Sequence, residues 1–524
     1  LFWATFQKKI CMNINKFLKI SVLVCGSIVT AQTKSTISVD TKQPSSIISK
    51  HIYGHFAEHL GRGIYDGIYV GENSKIPNSN GVRKDIINAL KELKIPNLRW
   101  PGGCFADTYH WKDGIGPKNL RPTIVNNWWG GNTEDNSFGT HEFLNLAEEL
   151  GTEPYLAGNV GSGEVKELSD WVQYTGKDTK SPMTDLRKQN GRDKSWNVKI
   201  WGVGNEMWGC GGNMAPEYYA NLYKQYATFM TDWTNSDKLF RVASGANVDD
   251  YHWTEVLMRD IPRNMIEGVA LHSYSFVKWD QKGDAVDYNE AQYFATMKTA
   301  LKMDELVTKH SQIMDKYDPE KKTALVVDEW GGWYEVEKGT NPGFLYQQNT
   351  LRDAMIAGVT LNIFNNHSDR VRMANLAQTV NVLQAVILTK GEKMILTPTY
   401  HVLNLYKAHQ DAKLIPLQIE SPEYKLNGES LKAVSASASE KDGVVTISLV
   451  NIDAKNTVET SINLKDFSKK VFTAKIISSP KIQDHNTFDN PNVIEPKEYK
   501  KIKTSRDILT VEVPPFSVVV LTSK

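Results

Sequence analysis

The sequence predicts an α/β fold, a (β/α)₈ TIM barrel followed by a C-terminal antiparallel β-sandwich. Between residues 52 and 367, eight short apolar segments alternate with stretches of helical periodicity, which is the pattern of a parallel barrel. From about residue 412, short alternating strands with turn signals replace that pattern. The 524 residues also exceed what one ordinary hydrophobic core accommodates.

The barrel prediction specifies both strands and helices. The strands are expected at residues 52–58, 97–103, 153–160, 198–206, 239–246, 268–275, 323–331 and 360–367. Helical periodicity is clear at residues 83–93, 140–150, 216–231 and 293–309, and a further helix is expected at 376–388.

The sandwich prediction rests on two pairs of strands. Residues 431–438 and 444–450 flank a hairpin turn at 440–443, and strands 508–513 and 516–521 are separated by two prolines. An early strand at residues 36–40 is expected to join this domain. The predicted domains are upstream residues and a signal peptide at 1–31, the joining strand at 32–50, the barrel at 51–411 and the sandwich at 412–524.

Polar side chains gather where the predicted barrel strands end, on seven of the eight strands, which packing alone does not explain. The C-terminal ends of barrel strands form the face on which such enzymes carry their active sites. The residues at these ends are His55, Glu58, Arg99, Trp100, Asn159, Asn205, Glu206, His272, Tyr274, Glu329, Asn365, Asn366 and His367.

Two glutamates at these ends point to glycoside hydrolysis. Glu206 ends the fourth strand and Glu329 the seventh, and each follows an apolar run and precedes a Trp. A carboxylate at a buried strand end is costly to desolvate unless it is used. Paired carboxylates across a barrel mouth provide the acid and the second carboxylate that cleavage of a glycosidic bond requires.

The surroundings of the two glutamates suggest their roles. Glu206 suits the acid/base, because apolar neighbours such as Trp208 raise the pKa of a carboxyl group. Glu329 suits the nucleophile, kept ionised by Tyr274 or Arg99. We expect about 5 Å between the carboxyl groups and retention of configuration. Asp328 is assigned a structural role, because neighbours on a strand point to opposite faces.

Composition excludes several other function classes. The 61 basic and 60 acidic residues nearly cancel, without the basic excess that nucleic-acid binding requires. The histidines do not form a set at metal-ligand spacing, and no Lys-Ser/Thr follows the glycines of residues 209–212, so we assign no metal and no cofactor. The 14 Trp are either core residues or platforms for sugar rings.

The N-terminal segment predicts export. A basic stretch at residues 12–19 precedes an apolar stretch at 20–29, with a small-residue cleavage site near Ala31-Gln32, so the protein is expected to be periplasmic or extracellular. The apolar stretch is too short to span a bilayer. A lipid anchor on Cys25 is an alternative that the bulky Val24 disfavours.

Two cysteines remain after that segment, and each follows a predicted strand end. If the loops of Cys104 and Cys210 meet over the barrel mouth, a disulfide is feasible. The alternative is a pair of free thiols that shape the pocket, and the sequence favours neither.

Six motifs give the chain a resemblance to a known family. The chain resembles the family 51 glycoside hydrolases, chiefly α-L-arabinofuranosidases, from about residue 52 to the C-terminus. The motifs are Tyr-Gly-His-Phe-Ala-Glu-His-Leu-Gly-Arg at 53–62, Leu-Arg-Trp-Pro-Gly-Gly at 98–103, His-Trp-Lys-Asp-Gly-Ile-Gly-Pro at 110–117, Asn-Ser-Phe-Gly at 136–139, Gly-Val-Gly-Asn-Glu at 202–206 and Met-Ala-Asn-Leu-Ala-Gln at 373–378.

The resemblance implies an activity, binding residues and partners. The implied enzyme is a retaining exo-hydrolase that removes terminal arabinofuranose from arabinoxylan, arabinan or their oligosaccharides, with Glu206 as acid/base and Glu329 as nucleophile. The resemblance also implies a homo-oligomer. The charge balance predicts no nucleic-acid partner, and the short apolar stretch predicts no membrane span. The residues expected to bind or line the sugar site are Glu58, Cys104, Trp129, Asn205, His272, Tyr274 and Gln378.

Two positions depart from the common pattern of that family. Cys104 stands where many relatives carry Asn, and Ser273 stands where Tyr is usual. Both bear on substrate preference. Two other functions are weighed: a different retaining barrel glycosidase, such as a β-xylosidase or endo-glucanase, and a non-catalytic carbohydrate-binding protein. The second is disfavoured, because a pure binder has no reason to desolvate both glutamates.

Overall fold

The computed structural model describes residues 33–40, 42–230 and 238–524, which belong to one compact unit. The predicted signal peptide, Cys25 and the cleavage site near Ala31 lie outside the described residues. None of the helices in the described ranges combines the length and apolarity that a bilayer crossing requires.

Within the described chain, eight parallel strands close into a barrel, which confirms the predicted fold class. In chain order, the first to eighth barrel strands are Gly54–Phe56, Asn97–Trp100, Glu153–Gly158, Ile200–Val203, Phe240–Asn247, Gly268–Ser275, Ala324–Gly332 and Val371–Ala377. The helices are α1 (Lys84–Leu93), α2 (Thr140–Leu150), α3 (Val165–Gly176), α4 (Pro182–Gln189), α5 (Pro216–Met230), α6 (Tyr251–Asp260), α7 (Glu290–Tyr317), α8 (Leu351–Asn366) and α9 (Pro398–Tyr406).

The predicted eighth strand at residues 360–367 is wrong, because residues 360–366 form the end of helix α8 and His367 is its C-cap. Residues 351 to 365 of this helix are all buried. Its sequence therefore lacks the division into one apolar and one polar face that marks a surface helix. The predicted helix at 376–388 is also wrong: the eighth strand ends there, and Ile387–Lys390 then pairs with Lys393–Leu396.

The polar end of α8 faces the sandwich and not the barrel mouth. Asn365 Nδ2 donates to Ser437 Oγ at 3.1 Å, and Asn366 Nδ2 donates to the carbonyl of Ala436 at 3.0 Å. The assignment of Asn365, Asn366 and His367 to a strand end is therefore wrong, since the first two end the helix that packs on the second domain and His367 is its C-cap.

Two sheets of described residues form the C-terminal β-sandwich. One contains Leu417–Glu420, Thr33–Val39, Val458–Asn463, Ile508–Val513 and Ile502–Ser505, in that order across the sheet. The other contains Lys413–Ile415, Val434–Lys441, Val444–Asn451, Ser517–Ser523, Phe472–Ile477 and Lys497–Tyr499. Ile37, Leu449 and Val511 are buried between them. The predicted hairpin is confirmed, and so are the last two strands, which lie in different sheets.

A bulge in the seventh barrel strand shapes the mouth. Ala270 of the sixth strand pairs with Val326, but His272 pairs with Glu329, so the seventh strand carries one extra residue. A bulge interrupts the alternation of side chains between the two faces of a strand. The expectation that Asp328 and Glu329 point to opposite faces is therefore wrong, because both approach His272.

Candidate active site

Glu206 lies just after the fourth barrel strand in an unusual backbone conformation. Its φ of +43° is in the left-handed region, which residues with a side chain seldom adopt outside functional sites and tight turns. The turn is held by Gly209 N–H, which donates to the carbonyl of Glu206 at 2.7 Å. The carboxylate reaches His272, with Oε1 at 2.9 Å from Nδ1.

The Glu206 carboxyl group is suited to holding a proton. Burial raises its pKa, and the nearby charge of Glu329 raises it further, while the hydrogen bond from His272 works in the opposite direction. The net result is a pKa above the ordinary value for glutamate.

Glu329 lies opposite, and two side chains donate hydrogen bonds to its carboxylate. Arg99 Nη1 donates to Oε1 at 2.9 Å, and the hydroxyl of Tyr274 donates to Oε2 at 2.9 Å. Hydrogen bonds to a carboxylate are strongest when the donor is charged, as the Arg99 guanidinium is. A carboxylate oxygen of Glu206, a ring nitrogen of His272 and a carboxylate oxygen of Glu329 lie within 4.8 Å of one another. The two carboxyl groups therefore meet across the mouth.

Arg99 connects the nucleophile candidate to the neighbouring amide. Its Nη2 donates to Asn205 Oδ1 at 2.6 Å, and its guanidinium carbon lies 4.5 Å from the centre of the Phe56 ring. A planar guanidinium with several donors in a fixed fork holds both partners in one orientation. Arg99 therefore fixes Asn205 and Glu329 relative to each other.

His272 lies between carboxylates on both sides. Its Nε2 is 3.2 Å from Asp328 Oδ1, in addition to the contact of Nδ1 with Glu206. Burial alone would lower the pKa of His272, but the carboxylates of Glu329, Asp328 and Glu206 outweigh it and raise the pKa to about 10. His272 is therefore protonated and donates from both ring nitrogens.

Glu58 forms a third buried carboxyl group at the mouth. Its Oε1 accepts from the backbone of Gly103 and Phe105 and, at 2.9 Å, from Trp129 Nε1; its Oε2 accepts from Gln378 Nε2 at 2.9 Å. Burial and the charge of Glu329 raise the pKa of Glu58 to about 7. The structure thus brings Glu58, Trp129 and Gln378 together beside the two glutamates.

The structure decides the open question about the cysteines. Cys104 and Cys210 form a disulfide, with 5.5 Å between their Cα atoms. Cys104 begins the short helix Cys104–Thr108 after the second strand, and Cys210 lies in the loop after Glu206. The bond therefore joins two loops above the mouth.

Asp107 and Asp328 are site residues that sequence reasoning missed or misread. Asp107 Oδ2 accepts from the backbone N–H of Asn205 at 2.8 Å, and Oδ1 accepts from Val160 and Gly161. Burial raises the pKa of Asp107 to about 7. Its position four residues after the Pro-Gly-Gly motif of the second strand was the available signal.

Some predicted strand-end residues lie outside the site. Burial lowers the pKa of His55 to about 3, which makes it a neutral core histidine. Asn159 caps its own loop, accepting from the N–H groups of Ser162 and Gly163. Trp100 donates to His59 Nε2 at 3.1 Å within the core.

An aromatic cavity opens beside Glu206. It has a volume of about 460 Å³, and its wall includes Trp208, Ser273, Phe276, Trp279 and Trp333. The rings of Trp279 and Trp333 lie 5.5 Å apart, nearly perpendicular to each other. Aromatic faces next to a carboxyl group that is suited to holding a proton fit the non-reacting part of a saccharide.

Two family models match most of the barrel and sandwich. The "Alpha-L-arabinofuranosidase 1 domain" matches residues 89–302, and the "Alpha-L-arabinofuranosidase C-terminal domain" matches residues 328–517. An intracellular exo-α-L-arabinofuranosidase of Bacteroides ovatus is 51% identical over 513 residues, covering 97% of this chain and 99% of the relative. α-L-Arabinofuranosidase C of Emericella nidulans is 32% identical over 484 residues, covering 89% and 92%.

Solved structures agree with these matches. A family 51 arabinofuranosidase from Xanthomonas axonopodis pv. citri superposes with a TM-score of 0.92 at 47% identity, covering 94% of this chain and all (100%) of the other. An α-L-arabinofuranosidase from Thermotoga maritima, solved with arabinose, gives 0.82 at 30% identity, covering 94% and 99%.

The prediction of export is contradicted by these comparisons. The Bacteroides ovatus relative is named an intracellular enzyme, and it matches this chain over 97% of its length. A basic stretch before a short apolar segment is a compositional signal that other N-terminal sequences also carry. The assignment of this protein to the periplasm or exterior is therefore wrong.

Proposed function

The chain belongs to the α-L-arabinofuranosidases of glycoside hydrolase family 51, and we propose that Glu206 and Glu329 carry its reaction as acid/base and nucleophile. The enzyme is a retaining, exo-acting glycosidase. One observation supports the division of roles: burial raises the pKa of Glu206, whereas Arg99 and Tyr274 both donate hydrogen bonds to Glu329.

The first step forms a covalent intermediate. Glu329 attacks the anomeric carbon of a terminal arabinofuranosyl residue, the glycosidic C–O bond breaks, and Glu206 gives its proton to the departing oxygen. Arg99 and Tyr274 hold the attacking carboxylate, each at 2.9 Å. The product of this step is a glycosyl ester of Glu329 with inverted configuration.

The second step hydrolyses that ester. Glu206, now ionised, takes a proton from water, and the oxygen of that water attacks the anomeric carbon and displaces Glu329. The two inversions give net retention. His272 stabilises the ionised form of Glu206 in this step, because it is protonated and donates to Oε1.

The proposed sugar-binding residues surround this pair. Glu58, Asn205, Tyr274 and Gln378 present polar atoms at the mouth, and Trp129 donates to Glu58. The disulfide leaves Cys104 without an S–H group that could donate a hydrogen bond, so we propose that Cys104 contacts the sugar only through van der Waals packing. His272 acts through Glu206 and not on the sugar, because carboxylates occupy both of its nitrogens.

The natural substrates we propose are arabinoxylan, arabinan and their oligosaccharides, from which terminal α-L-arabinofuranosyl residues are released. The aromatic cavity beside Glu206 supports a saccharide as the leaving group. We also propose that the enzyme is a homo-oligomer, which sedimentation analysis tests. A β-xylosidase or endo-glucanase is the second candidate, and rates on p-nitrophenyl α-L-arabinofuranoside, p-nitrophenyl β-xyloside and cellulose separate the candidates.

The roles are tested by two variants with azide as external nucleophile. Glu329→Ala is expected to lose nearly all turnover, and azide should restore cleavage of an activated aryl arabinofuranoside with inverted configuration. Glu206→Ala should keep formation of the intermediate with such a substrate and give the retained azide product. Glu392→Ala, at an exposed glutamate, is the matched control. Normal turnover of Glu329→Ala would disprove the nucleophile assignment.

A further inference from the structure

The disulfide lies directly against the acid/base candidate. The Sγ atom of Cys210 is 3.6 Å from Oε2 of Glu206 and 3.7 Å from Nδ2 of Asn205. The Sγ atoms of Cys104 and Cys210 and a carboxylate oxygen of Glu206 lie within 4.8 Å of one another. All three side chains are partly exposed, so a small reductant or ion reaches them from the mouth.

Both loops that carry the sulfur atoms are held by other interactions. On one side, the backbone N–H groups of Gly209 and Gly211 donate to Glu206 O, and that of Met214 donates to Met207 O at 2.7 Å. On the other side, Gly103 and Phe105 donate to Glu58. Breaking the S–S bond therefore leaves the two thiols near each other and near Glu206.

We propose that reduction of Cys104–Cys210 creates an inhibitory site for a thiophilic divalent cation, of which Zn²⁺ is the best fit. The ligands are the two thiolates and the Glu206 carboxylate, with water in the fourth position. Zn²⁺ prefers four ligands in a tetrahedron and accepts cysteine sulfur and carboxylate oxygen.

A phosphine supplies the two electrons that reduction of the disulfide requires. The phosphine gives two electrons to the S–S bond, takes an oxygen atom from water and becomes a phosphine oxide, and the two protons of that water convert the sulfurs to thiols. Binding of Zn²⁺ then releases two thiol protons to solvent.

The orientation of Glu206 favours this ligand set. Oε1 is engaged by His272 Nδ1, whereas Oε2 is the oxygen that faces Cys210. A cation between the sulfurs thus binds the oxygen that is not used by the histidine. The other nearby set, Glu206 with His272 and Glu329, is a poorer site, because Asp328 and Glu206 already occupy both His272 nitrogens.

Metal binding is expected to stop hydrolysis. A carboxylate that coordinates Zn²⁺ neither donates nor accepts the proton of the reaction, so this consequence rests on the proposed acid/base role of Glu206. Loss of general acid catalysis lowers a rate by about 10²- to 10⁴-fold. In the oxidised enzyme the sulfurs of Cys104 and Cys210 are bonded to each other and offer no thiolate at the mouth, so its activity should be insensitive to zinc.

The test compares oxidised and phosphine-reduced enzyme, each freed of reductant and equilibrated with Zn²⁺. Bound zinc is measured by elemental analysis after gel filtration, and thiolate ligation is measured by the charge-transfer absorption of Co²⁺ in place of Zn²⁺. The reduced wild type should bind about one ion per chain, lose activity by about 100-fold and recover with a chelator. The double variant Cys104→Ser/Cys210→Ser should bind none, and its own activity should be the same with and without zinc.

Two results would overturn the proposal. The first is reduced wild type that binds no more zinc than the double variant. The second is thiolate-bound metal at full activity, which would refute inhibition through Glu206. Failure of the proposed catalytic role itself is recognised separately, because Glu206→Ala would then give no azide product in the absence of any metal.

Discussion

The Nε2 atom of His272 lies 3.2 Å from Oδ1 of Asp328, while Nδ1 of the same ring lies 2.9 Å from Oε1 of Glu206. Asp328 is in turn held by the hydroxyl of Tyr155, which donates to Oδ2 at 2.6 Å. Burial would raise the pKa of Asp328, but the charge of Arg99 and the hydrogen bond of His272 outweigh it and lower the pKa, so the group is ionised. Asp328 therefore positions the imidazolium of His272, which contacts Glu206 through its other nitrogen.

Asp328→Asn should lower kcat more than it changes KM. The variant removes the charge that keeps His272 protonated and oriented, while the side chains proposed to bind the sugar remain. A charged hydrogen bond contributes about 1.5 to 3 kcal/mol, so we expect kcat to fall by about 10- to 100-fold. Steady-state kinetics on an aryl arabinofuranoside measure this. Tyr155→Phe, which removes only the hydroxyl, should have a smaller effect. An unchanged kcat in Asp328→Asn would show that the contact is structural.

His272→Gln should move the alkaline limb of the pH profile of kcat/KM to higher pH. In the proposed mechanism Glu206 is the general acid and must be protonated, so activity is expected to fall as pH rises through its pKa. The His272 hydrogen bond and positive charge lower that pKa, against the effect of burial. Removing them therefore raises the pKa and extends activity upward in pH, at a lower maximum rate. A limb that stays in place or moves downward would contradict the assigned interaction.

The sequence was sufficient for the positions of Glu206 and Glu329 because their strands obey a simple rule: an apolar run ends in a polar residue at the barrel mouth. The same rule failed at Asp328, where one extra residue in the seventh strand turns two successive side chains toward His272. Alternation is a property of regular strands, and a bulge leaves no clear mark in composition.

Helix α8 shows a second limit of sequence patterns. Its residues are buried from Leu351 to Asn365, between the barrel and the sandwich. An all-buried helix and a buried parallel strand both appear as apolar runs, and periodicity does not distinguish them. The misplaced eighth strand followed from this ambiguity. The disulfide could not be decided for a different reason, since its formation depends on how two distant loops meet.

Trp129→Phe should weaken substrate binding through Glu58. The indole Nε1–H donates to Glu58 Oε1 at 2.9 Å, and it favours the ionised carboxylate, whose pKa burial has raised to about 7. Losing this bond raises the pKa further and frees the carboxyl group to reorient. We expect kcat/KM to fall by about 5- to 30-fold, corresponding to about 1 to 2 kcal/mol. Trp128→Phe is the matched control, since the adjacent Trp128 side chain is 42% exposed. Equal losses in both variants would contradict a specific role of Trp129.

Trp333→Ala should raise KM for arabinosylated oligosaccharides and leave the rate on a small aryl arabinofuranoside nearly unchanged. Trp333 lines the cavity beside Glu206, where the leaving saccharide is expected, and its ring packs edge-to-face on Tyr274 with centroids 5.1 Å apart. A sugar ring that packs on an aromatic face loses about 1 to 2 kcal/mol of binding free energy when that aromatic side chain is removed. KM for the oligosaccharides should therefore rise by about 5- to 30-fold. Phe229→Ala, an exposed aromatic on α5, serves as the control. If Trp333→Ala slowed the aryl substrate equally, the ring would act through Tyr274 on the nucleophile, and the cavity would not be the leaving-group site.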